Sequence, residues 1–76
     1  MNEHSLDARR MLCPLPVIRT QDRVQQMQQG DCLTVCCTDP GAVHDIPAWC
    51  RVHGHEILDI KNTDGEIFIR LRVGRE

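Results

Sequence analysis

Cys32-Leu33-Thr34-Val35-Cys36-Cys37-Thr38-Asp39-Pro40-Gly41 carries the chain from one type of secondary structure into another. Its first seven residues are rich in β-branched and small apolar side chains, and their alternation puts Leu33, Val35 and Cys37 on one face, the pattern of a strand in the middle of a sheet. Asp39-Pro40-Gly41 then supplies an N-cap acid and a proline whose fixed φ suits the first helical position. The spacing of Val43, Ile46 and Cys50 predicts a second helix that packs these three inward and runs towards Gly54. Pro47 lies inside this stretch, so a kink or a late start near Asp45 is expected.

Upstream, Cys13-Pro14-Leu15-Pro16 reads as another helix start, with Pro14 first in the helix. Val17, Ile18, Val24 and Met27 share one face over 17–29, and Gly30 is placed to end the helix. Leu6-Asp7-Ala8-Arg9 before it has the look of a short edge strand. Downstream, residues 55–62 and 66–73 form two strands, and Asp64-Gly65 between them signals a hairpin turn. In the last strand Ile67, Ile69, Leu71 and Val73 alternate with Glu66, Phe68, Arg70 and Arg72. The order strand, helix, strand, helix, strand, strand predicts an α+β fold with both helices on one face of the sheet. With no linker, repeat or low-complexity tract, residues 1–76 are expected to form a single domain.

A domain of 76 residues buries only roughly 60–65% of its unfolded surface, which leaves room for one core and no deep cleft. One Trp, one Phe and no Tyr offer little surface for stacking bases, and a net charge of −2 gives no field to attract nucleic acid. Direct nucleic-acid binding is therefore not expected. Met1-Asn2-Glu3-His4-Ser5 lacks a basic segment followed by an apolar run, and no stretch is long enough to span a membrane, so the expectation is a cytoplasmic protein without membrane contact.

Five cysteines, at 13, 32, 36, 37 and 50, cannot all pair within one chain, and in a reducing compartment they stay as thiols. Cys13 stands out. It lies beside a helix N-terminus, where free N–H groups favour an anion, and Pro14 and Pro16 leave Leu15 and Val17 as the donors of a stiff first turn. Arg9, Arg10, Arg19 and Arg23 are near in sequence, and neighbouring cations lower a thiol pKa. A thiolate at Cys13, with these arginines also docking acidic partner surfaces, is one reading; a small buried residue that merely opens a helix is the other.

Leu6-Asp7, Cys13-Pro14-Leu15-Pro16-Val17, Thr38-Asp39-Pro40-Gly41, Asp45-Ile46-Pro47 and Gly54-His55-Glu56 together resemble the TusA/SirA family of sulfur-transfer proteins over nearly the whole chain. The resemblance implies a two-layer β-α-β-α-β-β sandwich with a four-stranded mixed sheet. It also implies that Cys13 carries sulfur as a persulfide, with no other cofactor. A cysteine desulfurase or rhodanese would be the donor and a DsrE-like or other relay protein the acceptor, in tRNA thiolation or sulfur oxidation. The carrier is expected to be a monomer without turnover chemistry of its own. Members of the family commonly have Gly-Leu where this chain has Arg10-Met11.

Rival readings attach to other residues. Cys32, Cys36 and Cys37 lack zinc-finger spacing, so no metal site is expected; Cys37 belongs in the core, while Cys32 and Cys36 share the uncovered face and should be accessible. Cys50 reads as structural, His44, His53 and His55 as solvated or capping, and Asp39 and Asp45 as helix-start acids. Trp49, off the inward stripe, is a candidate partner anchor. A regulatory or adaptor domain using Trp49 and the arginine-bearing helix is the alternative to a carrier.

Overall fold

The computed structural model describes residues 2–74, so Met1 and the last two residues of the expected domain lie outside the described residues. Six elements follow in the expected order: β1 (Glu3–Ala8), α1 (Leu15–Val24), β2 (Cys32–Cys37), α2 (Ala42–His53), β3 (Glu56–Thr63) and β4 (Glu66–Arg72). The strands form one mixed sheet in the order β1-β2-β4-β3. β1 runs parallel to β2, and β4 is antiparallel to both β2 and β3. Strands β2 and β3 are thus parallel to each other with β4 inserted between them.

Alternation along the central strands sorts the two faces of the sheet. Leu33, Val35 and Cys37 of β2 meet Ile67, Ile69 and Leu71 of β4, and all six are buried. Ala42, Ile46 and Cys50 of α2, spaced by one helical turn, complete this core together with Val24 of α1. Asp64 (φ 53°) and Gly65 (φ 81°) both have the positive φ that a tight hairpin turn needs.

Several boundaries differ from the sequence expectation: β1 starts at Glu3 and not at Leu6, β3 is shifted on by one residue, and the helix ends differ as follows. Helix α1 stops at Val24 instead of running to Gln29, because the next donors bond three residues back: Gln26 N–H to Arg23 O and Met27 N–H to Val24 O. The Asp31 carboxylate takes the Gln28 N–H (3.1 Å), and Gly30 (φ 94°) gives its N–H to Val73 O, so this glycine feeds β2 and does not cap the helix. The buried stripe of α1 is Pro16, Thr20 and Val24, which leaves Ile18 facing outward. Pro14 is the N-cap residue, with Leu15 opening the helix.

Helix α2 begins at Ala42 and continues through Pro47. Its first turn is held by Val43 N–H to Pro40 O and by His44 and Asp45 N–H to Gly41 O, so the one donor missing at Pro47 does not delay the start. Cys32, expected on an accessible face, is buried: Glu3 and Arg72 flank it on either side in register, and Arg70 reaches across to pair with Glu3. Cys36, four residues on, is half-buried on that face.

Candidate functional site

Parallel pairing of β1 and β2 dictates where the site forms. The chain leaves both strands at the same end of the sheet, so the turns that open α1 and α2 stand side by side. Asp39 joins them. One of its carboxylate oxygens accepts the Cys13 N–H (2.8 Å) and the other accepts the Gly41 N–H (3.2 Å), fixing the approach to α1 against the approach to α2.

Cys13, just ahead of the N-cap Pro14, is exposed, and its Sγ lies 2.8 Å from Oδ2 of Asp45 in the first turn of α2. The thiol donates and the carboxylate accepts. That hydrogen bond, followed by partial loss of water and by the negative charges of Asp45 and Asp39, raises the Cys13 thiol pKa above its ordinary value.

The expected thiolate stabilisation is therefore reversed in the free protein. Pro14 and Pro16 have no N–H, and the Leu15 N–H is taken by Leu12 O (2.9 Å), so one of the two donors expected at this helix start, Leu15, is spent on the backbone. No arginine is among the charges that act on the thiol. Arg9 is held by Asp7 (2.9 Å) and Glu66 (3.3 Å). Arg10 has its backbone at φ 68° with its N–H on Thr38 Oγ1, and Arg19 and Arg23 line a shallow concavity of about 170 Å³ with Leu6, Asp22 and Gln26.

Close to Cys13 in sequence the chain also exposes apolar side chains. Leu12 is 73% exposed, Leu15 44% and Ile18 45%, three large side chains next to or within about one turn of Cys13. Trp49 sits elsewhere on α2, half-buried, stacked on the His55 ring (centroids 5.0 Å apart) and tilted against His53. Cys37 and Cys50 are in the core, and burial pushes the Cys50 thiol up to about 11. Among the described residues no group of three His, Cys, Asp or Glu side chains is placed to hold a metal ion, and no helix is long and apolar enough to cross a membrane.

Asp39 and Asp45 are the site residues that the sequence reading passed over as ordinary helix-start acids. A signal was present: two parallel strands, each followed by a helix on the same face, bring the two helix starts together. Acids at the second start are then within reach of a cysteine at the first.

Comparison of the chain with known proteins points to one family. The sequence model of the sulfurtransferase TusA matches residues 4–73. A Neisseria meningitidis protein named for sulfur carriage is 49% identical over 65 residues, covering 86% of this chain and 88% of its own length. YrkI of Bacillus subtilis, also named for sulfur carriage, is 37% identical over 62 residues, covering 82% of this chain and 81% of its own. A SirA-like protein of Desulfitobacterium hafniense has the same fold, with a TM-score of 0.84 over 95% of this chain and 99% of its own at 22% identity.

Proposed function

The chain belongs to the TusA sulfurtransferase family of sulfur carriers, and from that premise we propose that it carries sulfane sulfur as a persulfide on Cys13. The observation that supports this most directly is the placement of one exposed sulfur at a rigid double-proline helix start, its backbone held by Asp39. Cys32, Cys37 and Cys50 are buried and unable to meet another protein's cysteine in the folded state.

The chemistry needs little more. The Cys13 thiolate attacks the outer sulfur of a donor persulfide, and the donor cysteine leaves as its thiolate. An acceptor cysteine then attacks the outer sulfur of the Cys13 persulfide, and Cys13 leaves in turn. One side chain serves as nucleophile in the first step and leaving group in the second, so both partners must reach the same exposed corner. A cysteine desulfurase or rhodanese fits the donor role, and a DsrE-like relay protein or an enzyme of tRNA thiolation or sulfur oxidation fits the acceptor role.

Whole-protein mass spectrometry after incubation with a cysteine desulfurase and cysteine tests the proposal. The expected result is one added sulfur atom, lost in Cys13→Ser and retained in Cys50→Ser. Sulfur uptake by Cys13→Ser equal to that of the unmodified protein overturns it.

A further inference from the structure

Most carboxylates of this small surface have a partner at hand. Among the described residues Glu3 pairs with Arg70, Asp7 and Glu66 with Arg9, Glu56 with Arg72 and Asp59 with Lys61, while Asp31 takes two backbone N–H groups and lies beside the His4 ring. Four described carboxylates remain. Asp22 and Asp64 are exposed, where water screens them; Asp39 and Asp45 are half-buried, and both lie at the carrier cysteine.

We infer that Asp45 gates the carrier: its carboxylate holds the proton of the Cys13 thiol while the protein is free, and yields a thiolate when a cationic side chain beside a partner's cysteine pairs with that carboxylate. The inference rests on the persulfide reading above and names the kind of partner the site accepts. Its geometry is the 2.8 Å approach of Sγ to Oδ2, reinforced by the second carboxylate, Asp39, on the Cys13 N–H.

Arg9 is held by Asp7 and Glu66, so the cation comes from the partner, and the exposed side chains of Leu12, Leu15 and Ile18, near Cys13 in sequence, give that partner an apolar surface to cover. A protein that covers these side chains also removes water from Asp39 and Asp45, which lowers the local dielectric and strengthens their repulsion of a sulfur anion. A partner that brings only an apolar surface therefore suppresses thiolate formation as it docks. One that brings Lys, Arg or a protonated His against Asp45 removes the repulsion and replaces it with an ion pair. The same contact that seats the right partner rejects the wrong one.

Atoms balance without an external oxidant. Cys13–SH and R–S–SH give Cys13–S–SH and R–SH. A bond forms between Cys13 Sγ and the outer sulfur, the donor S–S bond breaks, and the donor sulfur leaves with the electron pair. The proton lost from Cys13 is balanced by the one the donor thiolate gains. Cys13 is oxidised and the donor cysteine is reduced by the same amount.

Small disulfides of opposite charge test the gate. In a Cys36→Ser background, rate constants for Cys13 are measured at pH 7 and low salt with cystamine, which is dicationic, and with dithiobis(nitrobenzoate), which is dianionic. The ratio favouring cystamine is expected to fall several-fold in Asp45→Asn and to survive in Asp45→Glu. Alkylation by neutral iodoacetamide, followed against pH, moves to lower pH in Asp45→Asn, with several-fold faster reaction at pH 7. An unchanged ratio and an unchanged alkylation profile in Asp45→Asn overturn the gate. Sulfur loading is measured separately by mass: if Cys13 takes up no sulfur while the Asp45→Asn effects appear in full, the carrier reading fails and the gate stands.

Discussion

Arg10 carries a backbone conformation that a glycine would adopt more readily. Its φ of 68° is in the left-handed region, where Cβ crowds the following carbonyl at a cost of roughly 1–2 kcal/mol. The turn from β1 into the Cys13 segment demands that geometry, since the Arg10 N–H must reach Thr38 Oγ1 (2.9 Å) while Met11 turns back to pack on the core. Glycine, common at this position in the family, meets the demand without the clash but loses more freedom on folding. Because the Thr38 bond uses the backbone, Arg10→Gly keeps it. The expected outcome is a gain of about 0.5–1 kcal/mol, seen as a higher urea midpoint with an unchanged slope. A lower midpoint would mean that the Arg10 side chain, at the rim of the concavity lined by Asp7, Arg9, Thr38 and Glu66, holds the turn by contacts stronger than the strain. A sequence in which Arg replaces Gly shows nothing of a left-handed turn by itself, which is why this strain became visible only in the structure.

At the scale of elements, periodicity located each helix and strand, while side-chain hydrogen bonds decided where they stop. Ile67, Ile69 and Leu71 declared β4 through alternation alone, and Asp64-Gly65 declared its turn, because both signals are local. The end of α1 is not local. Asp31 is 5% exposed and ties three segments together: it accepts the N–H of Asn2 (3.1 Å) ahead of β1 and of Gln28 (3.1 Å) after α1, and it lies 3.4 Å from His4 Nε2. The two backbone hydrogen bonds, Gln28 first and then Asn2, hold its pKa below the ordinary carboxylate value. A carboxyl group whose pKa is lowered by folding adds stability that is complete above its unfolded value of about 3.9 and is lost as pH falls through the folded one. Asp31→Asn is therefore expected to be less stable than the parent protein at pH 7, with the gap narrowing below about pH 4. Urea midpoints measured from pH 7 down to pH 3 check this, and a gap independent of pH would show that the lost bonds matter only for their shape.

For the molecule as a whole, the sheet has two unlike faces. Both helices and the aliphatic core lie on one; on the other, Arg70 with Glu3, Arg72 with Glu56 and Lys61 with Asp59 make exposed ion pairs of the kind worth little to stability. Sequence alternation was enough to foresee this division, yet it placed Cys32 in water, because a pattern along one strand does not reveal what flanks it on the next two. Stability must come from the single buried cluster, and two of its members are thiols far apart in sequence: Cys37 on β2 and Cys50 on α2. If the cluster opens only as a unit, both thiols report the same event. For a domain with a stability of about 5 kcal/mol, their alkylation in the native state is slowed by about 10³–10⁴-fold relative to the unfolded chain, and by equal factors. Leu33→Ala, at the centre of the cluster, removes about 2–5 kcal/mol and should speed both reactions together by at least about thirtyfold. Cys13, exposed at the corner where the helices start, should keep its rate while folded molecules predominate. Residue-resolved alkylation by mass spectrometry separates the three thiols. Cys50 reacting well ahead of Cys37 would show that α2 lifts from the sheet on its own, and with it the carboxylate of Asp45 would leave Cys13.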